Sequence, residues 1–378
     1  MAINYDLTLA IVFYAIVIIF FYLNRKNVQI QGWILFIYRT KLGLKLMDKL
    51  SKFFPKLLHS IGLFGIFTGF LAMFGLFAFL VYQTALLFFR PETPAALAPL
   101  LPGVKIPGLP VLPFWYFIIG IFITVVLHEF AHGVYARLYN IKMKSSGLAF
   151  FGPLPAAFVE PDEKEMNKVS VQKQLSILTM GSFTNLILAV AFLLVGSFLI
   201  APYANNLIAD SGILVDGIQE GFPIFFSGIQ SGEQIIAING IEVRNAQEFV
   251  NLLTKTKPNE EVTIETDKRT VKVTTFAHPK GAGYGYLGLT VVPANITLWE
   301  VVVFWFLRLF FWVWVISFGI GLFNWLPFFI TDGGKMFLLL SQILIKDKKK
   351  ANLFWLRVNS FCLFIILAQL IAFIFKLF

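Results

Sequence analysis

Leu127-His128-Glu129-Phe130-Ala131-His132-Gly133 closes an apolar run that begins at Leu112. If a helix continues through it, His128 and His132 stand one turn apart and point the same way. Two imidazoles on one helix face can share a zinc ion, and Glu129 beside them is a candidate general base for water. Three polar groups within five residues at the end of a hydrophobic helix are hard to justify by packing. Ionisable groups inside a membrane-length segment are costly and usually functional. Such a site needs a third protein ligand from elsewhere in the chain.

Outward from this stretch, composition sets the class. Of 378 residues, 58% are hydrophobic, 17% aromatic and only 14% charged, against about 25% charged in a soluble globular chain. The chain reads as an integral membrane protein. Its net charge of +10 would suit nucleic acid, but the basic residues cluster beside apolar runs as they do in cytoplasmic loops, so no nucleic-acid partner is expected. The one cysteine, Cys362, lies within an apolar run, which excludes a disulfide within the chain and a cysteine-based metal site. Met1 to Asp6 lack a basic region and a small-residue cleavage site, so the first span is expected to be retained.

Six runs are long enough to cross about 30 Å of hydrocarbon: Leu7 to Leu23, Ile61 to Phe89, Leu112 to Leu138, Leu175 to Ala201, Thr297 to Phe323 and Val358 to Phe375. After the first comes a basic segment with Arg25, Lys26, Arg39, Lys41, Lys45, Lys49, Lys52 and Lys56 against a single Asp48. Its charge places it in the cytoplasm and the N-terminus outside. Trp33 to Tyr38 and Leu42 to Leu50 are amphipathic enough to lie on the inner leaflet. The third span then enters from outside, and about 16 residues at 1.5 Å each put His128 about 24 Å down, toward the cytoplasmic side. Gly147 to Asp162 is apolar but short and broken by Pro and Gly, so it reads as a re-entrant hairpin, and Glu163 to Lys173 as a charged surface helix.

Between about Ile208 and Pro293 charges become dense and strands short and alternating, with acids outnumbering bases. This is a soluble α+β domain expected on the outer side. Ile235-Ile236-Ala237-Ile238-Asn239-Gly240-Ile241-Glu242-Val243, followed by a helix near Ala246 to Leu253, resembles a PDZ domain. In that family a glycine-hydrophobic loop offers N–H groups to a carboxylate, and a bound peptide adds as a strand. Gly212, Ile213, Leu214 and Val215 match that loop, which makes peptide C-termini candidate partners; a lid or size filter that binds no peptide is the competing reading.

Beyond the fifth span, Asn324-Trp325-Leu326-Pro327-Phe328-Phe329-Ile330-Thr331-Asp332-Gly333-Gly334 interrupts helix geometry at Pro327 and at the glycine pair. Charge bias puts Asp332 on the same side as His128 and His132. Two histidines, one carboxylate and an open position for water describe a catalytic zinc site, with one Zn2+ expected per chain.

His-Glu-x-x-His in one span, Gly181-x-x-x-Asn185 in the next, Asn324-x-x-Pro327-x-x-x-x-Asp332-Gly333 after the following span, and a PDZ insertion together resemble the site-2 protease family of intramembrane zinc metalloproteases over residues 112 to 345. The resemblance implies hydrolysis of peptide bonds within transmembrane segments of membrane-protein substrates, in a multi-pass protein of the cell membrane. It implies a hairpin that pairs with an unwound substrate, with Phe151 and Gly152 at its tip, although Ala156-Ala157 stands where the family often has Gly-Gly. The segments then read as 1–111 (two leading spans), 112–207 and 294–350 (the two parts of the catalytic core), 208–293 (the PDZ-like domain) and 351–378 (the last span). Glu129 would take the water proton and pass it to the leaving amine. Asn185 and Asn324 would hold the substrate backbone or the oxyanion, or Asn185 would only join helices. Three further readings stay open on residues alone. Two histidines and a carboxylate also suit a ferrous-iron oxygenase. The histidine pair suits another membrane zinc protease, and the PDZ-like domain suits a membrane scaffold around a structural metal.

Overall fold

The computed structural model describes residues 5–31, 35–90, 92–279, 281 and 283–376. The chain divides into two compact units, one of Met1–Leu193 with Leu309–Phe378, the other Leu194–Arg308.

In the first unit, α1 (Tyr5–Leu23) is followed by two strands, β1 (Val28–Gln31) and β2 (Leu35–Thr40), then by α2 (Leu44–Phe53), α3 (Pro55–Phe89) and α4 (Phe114–Leu138). A hairpin, β3 (Met143–Phe151) and β4 (Leu154–Pro161), precedes α5 (Glu163–Met166) and α6 (Val171–Val195). Among the described residues six helices are long and apolar enough to cross a membrane: Asp6–Leu23, Pro55–Phe89, Phe114–Leu138, Val171–Leu207, Leu298–Trp325 and Lys348–Phe375.

One expectation is corrected here, and one is given its local structure. Leu35 to Tyr38, expected only to be amphipathic at the inner leaflet, lies in β2 and pairs with β3 from Leu35↔Phe151 to Thr40↔Ser146, as its β-branched and aromatic content favours. Trp33 lies outside the described residues, as do the first four. The hairpin thus belongs to a four-stranded antiparallel sheet of order β1-β2-β3-β4. Glu163 to Lys173 does not form one helix. Asp162 accepts N–H bonds from Lys164 and Glu165, capping a single turn that ends at Met166, and α6 starts afresh at Val171.

α4 starts after Pro113, whose extended backbone ends the preceding loop. Its first free amide, Phe114 N, donates to Asp6 Oδ2 of α1 at 2.9 Å, meeting a donor that the helix itself cannot satisfy. Tyr135, Ala136 and Ala131 of α4 join Ile177, Leu178 and Met180 of α6, Trp325 and Met336 in one buried cluster. That cluster lies beside the His-Glu-x-x-His turn.

In the second unit, the π turn Gly196–Ile200 and α7 (Ala201–Leu207) lead into β5 (Ile213–Ile218), β6 (Gln234–Ile238), β7 (Ile241–Glu242), α8 (Ala246–Leu253), β8 (Glu261–Thr266), β9 (Thr270–Thr274), β10 (Phe276–Ala277), β11 (Gly285–Tyr286) and β12 (Leu289–Pro293). The main sheet runs β12-β5-β6-β8-β9, with β7 on β6. Ile213 and Val215, and Val262 and Ile264, alternate inward and join Ile235 and Ile238 in its core. α9 (Leu298–Trp325), α10 (Asp332–Leu344) and α11 (Lys348–Phe375) complete the chain.

Candidate functional site

His128 and His132 lie on one side of α4, as their spacing requires. Their Nε2 atoms are 3.1 Å apart, and each is 3.1 Å from Asp332 Oδ2. Three lone-pair atoms converge on one point. Ligands bound about 2.0–2.2 Å from a tetrahedral zinc lie about 3.3 Å from one another, so this spacing is that of a metal-ligand triangle. Among the described residues, these three form the group of His, Cys, Asp and Glu able to hold an ion.

The far side of each ligand is anchored. His132 Nδ1 donates to Ile177 O at 2.7 Å, which leaves Nε2 unprotonated toward the point where the three atoms converge. His128 Nδ1 is 3.1 Å from the Asn185 amide, and Asn185 Oδ1 is buried with no partner. A half-turn of that amide sets Oδ1 against His128 Nδ1–H. This gives the orphaned oxygen a donor and frees His128 Nε2 in the same way. Asp332 is the first residue of α10, where the unpaired N–H groups favour a carboxylate; its Oδ1 is 3.8 Å from Lys335 Nζ.

Close backbone approach makes the glycines necessary. A Cβ on Gly181 would lie 2.3 Å from His132 Nε2 and 2.6 Å from His128 Nε2. The bare glycine keeps the point where the three ligands converge clear. A Cβ on Gly333 would meet Trp325 O at 2.2 Å, and one on Gly334 would collide with Phe328 O. The start of α10 therefore packs directly on the preceding turn. Thr331 locks it there: its hydroxyl accepts from Gly334 N at 3.1 Å and donates to Leu326 O at 2.6 Å. Trp355 Nε1 of α11 donates to Gly334 O at 2.8 Å.

Glu129 sits on the neighbouring face of α4, and its Oε2 accepts Val159 N–H of β4 at 3.1 Å. Since Val159 N turns away from β3, alternation turns Ala157 N to the same free edge, and Pro155 and Pro161, which have no N–H, take the other outward positions. A cavity of about 460 Å³ opens between this edge and the ligands, lined by Glu129, His132, Val159, Glu160, Asp332 and Lys335 among others. Glu160 accepts from Ser145 Oγ at 2.7 Å and from Arg39 Nε at 3.3 Å.

The other expected site residues stand apart from this cluster. Asn324 is half-buried near the end of α9 and does not line the cavity. Phe151 and Gly152 form the hairpin tip, with Phe151 exposed and Gly152 at φ +55°, and neither lines the cavity. Gly212 to Val215 is not an open loop. Gly212 N donates to Arg244 O and Val215 N to Glu233 O, Ile213 and Val215 are buried, and β5 is flanked by β12 and β6. The sheet edge on this side is β12, Leu289–Pro293, after the Gly288 turn at φ +81°. Sequence reasoning missed that edge, although Gly285-Tyr286-Leu287-Gly288-Leu289 offered a glycine-hydrophobic signal. It also missed the Val159 amide, a backbone group that no side-chain pattern announces.

Peptidase family M50 matches the chain over residues 116–366. Over 353 residues the chain is 29% identical to the uncharacterized protein MJ0971 of Methanocaldococcus jannaschii, covering 92% of this chain and 89% of that protein. A stretch of 61 residues is 43% identical to tight junction protein ZO-3 of Canis lupus familiaris, 16% of this chain and 7% of that one. Among solved structures, the PDZ domain of the SdrC-like protein from Listeria monocytogenes matches 22% of this chain and 88% of its own, at 22% identity and a TM-score of 0.20.

Proposed function

The chain belongs to peptidase family M50, and from that premise we propose that it is an intramembrane zinc metalloprotease, with His128, His132 and Asp332 as metal ligands and Glu129 as general base. The observation that carries the proposal is the triangle of Nε2, Nε2 and Oδ2 at 3.1 Å with Gly181 clearing the space before it. Zinc bound there supplies a Lewis acid and lowers the pKa of a water toward about 7.

The chain's own residues do the rest. Ile177 O and the Asn185 amide hold the two imidazoles in the ligating tautomer, so Asn185 acts through His128 and positions it. The six long helices cross the membrane with the N-terminus outside. The basic residues Arg25, Lys26, Lys41 to Lys56, Lys142, Lys144 and Lys346 to Arg357 mark the cytoplasmic face, and the sheet that holds the β3–β4 hairpin re-enters the membrane beside the ligands. A substrate segment unwound to a strand pairs with the free edge of β4. The substrate carbonyl that takes Val159 N–H releases Glu129 Oε2 toward the attacked bond, where it removes a proton from water and returns it to the leaving nitrogen. Asn324 is left as a candidate for holding substrate backbone. Residues 208–293 form an outer PDZ-like domain, and a peptide terminus that binds it pairs with β12 and not with Gly212 to Val215. The substrates are transmembrane segments of membrane proteins, met in the cell membrane.

The test is metal content and cleavage of a model transmembrane substrate in detergent, wild type against Glu129→Gln and Asp332→Ala. One zinc per chain in wild type and Glu129→Gln, cleavage only in wild type, and zinc loss in Asp332→Ala are expected. Iron in place of zinc, or turnover in Glu129→Gln within tenfold of wild type, would remove the assignment, since general bases contribute about 10²–10⁴ in rate.

A further inference from the structure

We propose that α2 is a docking arm for an anionic lipid surface, and that it passes the state of that surface to α4. The helix carries three stripes. Met47 and Ser51, four residues apart, are buried. Leu46, Leu50 and Phe53, spaced four and three, are exposed, and Leu42, Phe54 and Leu57 extend that apolar surface beyond the helix ends. Lys45, Lys49 and Lys52, again spaced four and three, are exposed beside them, with Lys41 and Lys56 at the two ends. The acidic member, Asp48, is paired with Arg137 Nε at 2.8 Å, so the lysines have no neutralising carboxylate on their own helix.

An apolar stripe along a basic stripe on one short helix is the chemistry of an interfacial anchor. Lipid with an anionic headgroup satisfies both at once: the acyl boundary receives the leucines and phenylalanines, and the phosphates receive the lysines. The buried stripe is what makes this contact consequential. Met47 packs where Gly133 has no side chain, a Cβ there lying 2.4 Å from Met47 Sδ, and Gly133 follows His132 directly. Arg137, which holds Asp48, lies one turn further along α4. A displacement of α2 therefore bears on the turn of α4 just after the second histidine. The coupling rests on the metalloprotease reading; the lipid contact does not.

The test uses the full chain with an environment-sensitive fluorophore on Leu46→Cys, the native Cys362 being fully buried. It is reconstituted in phosphatidylcholine alone and in an equal mixture with phosphatidylglycerol. A blue shift in the mixed bilayer is expected, weakened by salt and abolished in Lys45→Gln/Lys49→Gln/Lys52→Gln. Each lysine held against an anionic surface shifts the docked population about fivefold. Equal emission in the two bilayers, a shift that survives in the triple variant, or self-association through α2 in place of lipid contact would overturn the docking proposal. Zinc is measured on the same samples, so a failed metal site with an intact shift refutes the protease reading alone. Cleavage several-fold faster in the mixed bilayer, with that difference lost in the triple variant, supports the coupling; equal rates in wild type refute it.

Discussion

Gly181→Ala tests the metal centre at its most exposed assumption. The added methyl would lie 2.3 Å and 2.6 Å from the two Nε2 atoms, where ordinary contact needs about 3.4 Å or more. About an ångström must be found. The imidazoles cannot swing away, because His132 is tied to Ile177 O at 2.7 Å and His128 to Asn185 at 3.1 Å. Nor can α6 retreat, since Leu175 to Phe183 is buried without a break. Metal sites tolerate ligand shifts of about 0.2 Å, so at least one ligand bond is lost. Zinc affinity should fall by more than the roughly 10–100-fold that removal of an outer partner costs, while overpacking destabilises the fold by only about 1–3 kcal/mol. The assay is zinc retention against a graded chelator, with thermal unfolding alongside. Gly319→Ala is the matched control in a long apolar helix, since a Cβ there meets nothing within 4 Å, and it should change neither. Wild-type zinc retention in Gly181→Ala would show that the three ligand atoms do not share an ion at that point.

Two smaller perturbations separate positioning from chemistry. Asn185→Ala removes the amide behind His128 and should weaken zinc binding about 10–100-fold; chelator titration checks this, and added zinc should restore cleavage if Asn185 only orients the ring. Val159→Pro deletes the edge amide that holds Glu129, on a strand whose edge tolerates proline. It should raise KM for a strand-forming substrate by up to about tenfold, the worth of one hydrogen bond, with zinc content unchanged. An unaltered KM would mean that substrate does not pair there.

The grouping of His128, His132 and Asp332 was legible because each rests on a rule that sequence carries directly. The helical period puts His128 and His132 on one side, loop charge is the ground for expecting Asp332 with them, and the three side chains do meet. What surrounds the ligands was not legible. Ile177 O and Val159 N–H are backbone atoms, present at every position and significant only through the packing that brings them to α4. Gly181 could be read as part of a motif, but its reason, two imidazole nitrogens within 2.6 Å of an absent Cβ, exists only between helices. β1 and β2 were obscured because a short alternating stretch beside an apolar helix carries too few residues to separate period two from a helical stripe. Gly212 to Val215 misled because a glycine before apolar residues signals a strand entry as readily as a binding loop. Only the strand order reveals which edge is free.

The second long helix, which no motif assigned to the site, acquires a role from the same close-packing argument. A Cβ on Gly62 would lie 2.2 Å from Ser176 Oγ, one on Gly65 2.9 Å from Met180 Sδ, and one on Gly69 2.5 Å from Thr179 Oγ1. Gly65 O accepts the Thr179 hydroxyl at 2.9 Å, and that hydroxyl accepts Trp325 Nε1 at 3.1 Å. The small-residue face of α3 is therefore seated on the stretch of α6 that contains Ile177 O and precedes Gly181 and Asn185. Within a bilayer, where helices gain little from excluding water, such close approach and interhelical hydrogen bonds are the main source of association. α3 holds α6, α6 fixes the outer nitrogens of both histidines, and Thr179 ties the same segment to the turn that delivers Asp332. The precision of the ligand triangle follows from this bracing, because side chains on α4 alone would be free to adopt other rotamers.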